Sequence, residues 1–241
     1  MYLPDGNAAA VVCLLHGGFW RTPYGRDQME AVAQDLVGRR YAVWNIGYRR
    51  VGEPGGGWPG TFDDVGAAID HLALLHADGI SMDLDQVFVA GHSAGGHLAL
   101  WSASRAAPRI RVRAVAGLAP IADLTAGYHL ALGGQAAGQL LGGSPQDVPG
   151  RYRTASPHAQ LPLHIPQLIA HGTEDTAVPV QLSRDYVALA ASHGDPVTLA
   201  ELSDTSHMAF LDPCSQAHQT LCHWLAAQRA NAEVVTARNF G

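Results

Sequence analysis

Apolar positions along this chain recur with two different periods. Residues 11–16 and 41–46 are short, nearly continuous apolar runs, which predicts strands buried on both faces. Between them, residues 27–40 carry spaced apolar positions, as a helix does. Over 63–76, Val65, Ile69, Leu72 and Leu75 fall at helical spacing. The alternation continues with strands over 86–90, 113–118, 167–171 and 197–202, and helices over 94–106, 180–193 and 214–229. Strands alternating with helices of this length predict a doubly wound α/β fold around a mostly parallel sheet. One stretch breaks the rhythm: between Pro120 and Pro166 the chain is rich in Gly, Ala and Pro, with only short helical patterns. It follows the carboxyl end of a strand, where α/β sheets place their ligands. Residues 121–165 are therefore read as a small lid or pocket wall inserted in one domain spanning 1–241. From about Asn231 the chain reads as a frayed tail.

The composition agrees with one globular domain: 241 residues, 47% hydrophobic and 15% charged. Asp and Glu number 21 against 15 cations, a formal charge of −6, which speaks against a nucleic-acid partner. Every cation is arginine. With no lysine in the chain, Schiff-base, Walker-A and kinase-type chemistry is excluded. The three cysteines are odd in number and lack metal spacing; Cys13 sits in an apolar run, and Cys214 and Cys222 are read as free thiols although they are near enough to meet. The first residues show neither a basic n-region nor an apolar h-region, and no apolar run reaches the roughly 18 residues of a membrane span. A cytoplasmic protein without a membrane partner is the expectation.

Chemistry concentrates in four motifs. Gly91-His92-Ser93-Ala94-Gly95-Gly96 follows an apolar strand and opens an apolar helix. A Gly-x-Ser-x-Gly match alone is weak, but this context is the one a nucleophile elbow needs: small neighbours permit the sharp turn, and the helix amino terminus faces developing negative charge. A serine hydroxyl needs a base, itself oriented by a carboxylate. His171-Gly172-Thr173-Glu174-Asp175 and Ser206-His207-Met208 each follow a strand, so both fall on the same sheet edge as the elbow. Asp175 is the expected acid and His207 the expected base; Glu174 and Asp204 are the rivals of Asp175. Turnover should then rise as His207 gives up its proton, and a flat profile between about pH 5 and 8 would argue against that role. Finally, His16-Gly17-Gly18-Phe19-Trp20 follows the first strand, and its glycines let backbone approach a substrate. The N–H of Gly18 or Phe19, with that of Ala94, is the expected oxyanion hole.

These four ordered motifs resemble the α/β-hydrolase fold, from His16 to about Trp224. Within it the chain looks like the small esterase branch that includes kynurenine formamidase-like enzymes and hormone-sensitive-lipase-like carboxylesterases. His-Gly-Gly-aromatic-Trp is similar to the formamidase-like oxyanion motif, whereas Phe19 departs from the His-Gly-Gly-Gly of the lipase-like members. The resemblance implies catalytic roles for Ser93, Asp175 and His207, and it implies no cofactor. It also usually includes two antiparallel strands ahead of the oxyanion loop. Only about ten residues precede that loop's strand here, so the expectation is six or seven strands with the first missing and residues 2–6 forming the tail of the second.

Trp20, Tyr24, Trp58 and Tyr128 are candidates to line an acyl or alcohol pocket, although each is as readily a packing residue. His97 is read as packed and His171 as bonded to backbone. Thirteen histidines invite a metal, yet no His-Glu-x-x-His or comparable cluster is present. The sequence thus predicts a serine carboxylesterase for small esters. An arylformamidase acting on N-formylkynurenine-like amides is the first alternative, and a non-catalytic hydrolase-fold binding protein the second. The expected partner is a small ester or amide, with a homodimer left open.

Overall fold

The computed structural model describes residues 1–6 and 10–239. The alternation read from the sequence is realised as β1 (Ala10–Leu15), α1 (Glu30–Gly38), β2 (Tyr41–Ile46), α2 (Gly60–Asp70), α3 (Leu72–Ala77), β3 (Val87–His92), α4 (Ala94–Ser102) and β4 (Ala114–Leu118). The insertion follows with α5 (Leu124–His129), α6 (Ala136–Leu141) and α7 (Pro149–Ala155). Then come β5 (Gln167–Gly172), α8 (Val180–Ser192), β6 (Val197–Leu202) and α9 (Gln216–Asn239). The six strands form one sheet in the order β2-β1-β3-β4-β5-β6, every neighbouring pair parallel.

The central strands are apolar throughout because both faces are covered. Alternate residues of β1 show the division. Val11, Cys13 and Leu15 belong to the core on the face that also holds buried residues of α2, α4, α8 and the insertion, while Ala10, Val12 and Leu14 belong to the core on the face of α1 and α9. Leu14, Phe88 and Leu98 are fully buried, each contributing roughly 1.5–3 kcal/mol on transfer from water. Loops at the carboxyl ends of β1, β3, β5 and β6 therefore meet at one edge of a rigid slab.

Three expectations change in detail. Residues 2–6 do not form a strand tail: Tyr2 alone makes an isolated antiparallel bridge, to Val43, exchanging hydrogen bonds of 2.8 and 2.9 Å. The helix expected over 63–76 is broken at His71 into α2 and α3. The chain beyond Asn231 stays helical to Asn239.

The insertion is a packed flank. Leu124, Leu140, Leu141, Tyr152 and Ala155 are buried in the main core, and the Trp58 N–H donates to the Leu140 carbonyl at 2.7 Å. Among the described residues no helix is long and apolar enough to cross a membrane.

Candidate active site

The turn from β3 into α4 puts Ser93 at φ 56°, ψ −118°. A residue with a Cβ pays about 1–3 kcal/mol for such backbone. Neighbouring structure holds it there: the Ser93 N–H donates to the Leu118 carbonyl at 2.8 Å, and the Ser93 carbonyl accepts from the His97 N–H at 3.1 Å. Gly95 is required by close approach, since a Cβ there would run into the Leu15 and His16 carbonyl oxygens. Although Ser93 is the N-cap of α4, its side chain makes no capping hydrogen bond. The hydroxyl is thus left uncommitted at the end of the helix where the dipole is positive.

Asp175 and His207 are brought together from the ends of β5 and β6. His207 Nδ1 lies 2.6 Å from Asp175 Oδ2, and Asp175 Oδ1 accepts the N–H groups of Ala177 and Val178, both at 2.8 Å. The carboxylate is fully buried. Burial by itself would raise its pKa; the hydrogen bonds from His171, His207 and the Val178 N–H outweigh burial and hold the carboxyl well below the usual range. The carboxylate is therefore charged and fixes a proton on Nδ1 of His207, leaving Nε2 to act on a neighbour.

His171 is more than a backbone-bonded strand end. Its Nε2 lies 2.9 Å from the Val178 carbonyl and 3.1 Å from Asp175 Oδ2, and its Nδ1 lies 2.7 Å from Ser183 Oγ. Of the rivals for the acid, neither Glu174 nor Asp204 makes a side-chain bond to His207 among the described residues, because Asp175 occupies Nδ1.

The loop after β1 approaches from the other side. Gly18, Phe19 and Trp20 all have positive φ (102°, 51° and 59°), and a Cβ at Gly18 would collide with the Tyr24 side chain. Among the described residues the N–H groups of Gly18, Phe19 and Ala94 make no hydrogen bond outside regular elements, and the first N–H groups of a helix have no intrahelical acceptor. Preformed, unpaired donors are what an oxyanion requires.

Ser93, His207, Gly18, Phe19, Tyr24, Gln28, His92, Ala177 and Met208 line a cleft of about 130 Å³. Of the four residues expected to line a pocket, Tyr24 alone reaches it, and its ring is half exposed. Trp20 does not: it is buried, and its indole N–H lies 3.1 Å from both the Ala94 carbonyl and His97 Nδ1. It ties the loop after β1 to α4. Trp58 packs edge-on against Phe62, and Tyr128 edge-on against Tyr152. None of the residues that line this cleft comes from the insertion. His97 is packed as expected, bonded from Nε2 to the Ala155 carbonyl at 2.8 Å.

Sequence reading missed Gln28, Ala177 and Met208 as cleft residues. Met208 directly follows His207 and was open to inference, whereas nothing in the pattern around Gln28 points to the cleft. Among the described residues one group of three side chains has metal-ligating atoms close together, Asp35, His218 and Cys222 between α1 and α9. Its carboxylate is already paired with Arg39 at 2.6 Å.

Comparison with known proteins agrees with this architecture. The chain is 28% identical over 252 residues to the probable carboxylic ester hydrolase LipM of Mycobacterium tuberculosis, an alignment covering 98% of this chain. The chain spans 57% of the length of that relative. Among solved structures, a truncated carbohydrate esterase from gut microbiota superposes with a TM-score of 0.81 at 20% identity, covering 95% of this chain and 90% of the other. Esterase B from Lactobacillus rhamnosis also gives 0.81 at 20% identity, covering 99% and 82%. At such identity these likenesses establish the α/β-hydrolase fold. The BD-FAE family model matches residues 1–189, and the chain belongs to that family.

Proposed function

We propose that the protein is a serine carboxylic ester hydrolase acting on small esters. The observation that carries this reading is the convergence, in one cleft, of a serine on strained elbow backbone with a histidine held through Nδ1 by a buried carboxylate. Ser93 Oγ attacks the ester carbonyl carbon while His207 Nε2 takes the hydroxyl proton. The carbonyl π pair moves onto oxygen, stabilised by the N–H groups of Gly18 or Phe19 and of Ala94. Collapse breaks the bond to the alcohol oxygen, which leaves with the proton from His207, and the acyl group stays on Ser93. Water then attacks the acyl-enzyme with His207 as base, releasing the acid and restoring the serine.

The cleft volume of about 130 Å³ suits a short acyl chain or a compact ring. The relation to a carboxylic ester hydrolase and the likeness to esterase structures support ester chemistry. No feature of the cleft favours a formamide. The test is a rate comparison of p-nitrophenyl acetate, a long-chain p-nitrophenyl ester, an acetylated sugar and N-formylkynurenine, with wild type and Ser93→Ala side by side. Ser93-dependent turnover led by a short-chain ester is expected. Dominant formamide cleavage would replace the reading with an arylformamidase, and saturable binding without turnover would replace it with a binding protein.

A further inference from the structure

His92 is a buried histidine at the site that the steps above do not use. It ends β3, immediately before the nucleophile, and is 1% exposed. Its Nε2 lies 2.8 Å from the backbone carbonyl of His207. A carbonyl only accepts, so Nε2 carries the proton and Nδ1 is bare. That Nδ1 is buried without a partner and faces the oxyanion loop: a Cβ on Gly17 would stand 3.0 Å from it and 3.3 Å from the Ser93 Cβ. The ring also lies 4.6 Å from the His207 ring, centroid to centroid, and 6.2 Å from that of Phe210. The titratable groups around it are His207, Asp175 and His171; burial first, then His207, pushes the imidazole down to about 3, so it is a neutral donor.

The topology gives this contact its purpose. The elbow ends β3, but the base follows β6, with β4 and β5 between them. Sheet hydrogen bonds therefore do not fix the distance from His207 to Ser93. Asp175 orients the His207 ring about its own axis. Among the described residues, the bond from His92 is the only hydrogen bond joining the elbow to residues 206–211. We infer that His92 is a positioning residue: its Nε2–H anchors the His207 backbone and sets the reach of the base to Ser93, with the oxyanion loop packed on its other edge. This inference rests on the roles given above to Ser93 and His207.

The test compares His92→Gln, whose amide N–H reaches the place of Nε2, with His92→Asn and His92→Phe, which put no donor there. Misplacing reacting groups by about 1 Å costs up to roughly a hundredfold in rate. His92→Phe and His92→Asn are therefore expected to lose about 30- to 100-fold in kcat with KM within about twofold, and His92→Gln to stay within about fivefold of wild type. The rate of Ser93 labelling by a small phosphonate should fall in parallel. Equal kcat in all three variants, or a loss carried by KM, would overturn the inference. Ser93→Ala and His207→Ala run alongside separate the two levels: activity retained in these removes the functional reading itself, whereas their loss beside an unaffected His92→Phe removes only the role of His92. Nitrogen NMR on the wild type needs no variant to fold. It should show a protonated Nε2 and a bare Nδ1 on His92 down to about pH 5, and the opposite tautomer or a charged ring would overturn the inference.

Discussion

Among the described residues, two of the aspartate–histidine pairs differ in how the carboxylate meets the ring and in what stands beside it. At the sheet edge, Asp175 binds His207 through Nδ1, and the ring faces a cleft that holds Ser93. Between α1 and α9, Asp35 lies 2.7 Å from His218 Nε2, and Cys222 Sγ lies 3.2 Å from the same nitrogen. Both partners thus crowd one side of the ring, while Nδ1 is buried without a partner. No relay from acid through base to nucleophile is available there. Burial pushes the Cys222 thiol up to about 12 despite the nearby Arg39, so the thiolate that would react is absent at neutral pH. Ser93, by contrast, stands on backbone held in a costly conformation at a helix amino terminus. On the proposed reading, the same residue types make a site in one place and a packing contact in the other, and the nitrogen that the carboxylate takes distinguishes them.

The strongest way to break this comparison is at Ser93 and Asp175. Replacing a nucleophile of this kind costs about 10⁶-fold in turnover, so Ser93→Ala should leave short-chain ester hydrolysis at background in a stopped spectrophotometric assay. Asp175→Asn keeps the shape but lets the wrong tautomer of His207 persist, and about 10³- to 10⁴-fold loss of kcat is expected. A loss below tenfold would mean that the buried pair is structural after all.

Trp20 sharpens the oxyanion side. Trp20→Phe removes the N–H that meets the Ala94 carbonyl and His97 while keeping most of the packing. A loss of one oxyanion donor costs about 10²- to 10³-fold, so displacing its support should cost about tenfold in kcat with little change in KM. An unchanged kcat would place Trp20 in the core alone.

Stability should respond to the buried neutral histidines. Burial pushes His16 and His97 down to about 4 and His92 to about 3. In the unfolded chain these groups take a proton near pH 6.5, and in the native protein they do so only well below it. Their depressed values therefore add stability that is present above about pH 6.5 and is lost as the pH falls toward the native values. Each contributes on the order of 1–2 kcal/mol of loss by about pH 5, visible as a steep drop in Tm by calorimetry. A Tm flat over that interval would show that these rings take a proton in the native protein as readily as in the unfolded chain.

The smallest effect belongs to the second pair. Cys222→Ala is expected to leave ester turnover within twofold and to lower stability by about 1 kcal/mol through lost packing at the α1–α9 contact. A large loss of turnover would mean that the two pairs communicate.

Much of this arrangement was legible in the chain. The strands are buried on both faces and so read as plain apolar runs, and an elbow or an oxyanion turn is a local motif whose glycines are dictated by close backbone approach. Asp175 and His207 followed from their place after β5 and β6. Long-range packing was not legible. Trp20 was open to both a pocket and a packing reading, and its place in a run of left-handed residues, with its indole buried in the core, decides for packing. Gln28 reaches the cleft from a 3-10 turn, Arg26–Met29, where the pattern read the first residues of a helix. The insertion offered short helices without showing which way they pack, and they bury their apolar residues against the core beside the cleft. His92 was seen only as a neighbour of Ser93, because its partner is a backbone carbonyl 115 residues away.

The central claim is that Ser93, aided by His207 and Asp175, carries the acyl group. The most direct measurement is intact-mass and peptide mapping after treatment with a serine-reactive phosphonate, paired with p-nitrophenyl acetate turnover. The account predicts one adduct, on Ser93, whose formation abolishes turnover, with neither adduct nor turnover in Ser93→Ala. Turnover that survives full labelling, or that persists in Ser93→Ala, would contradict it.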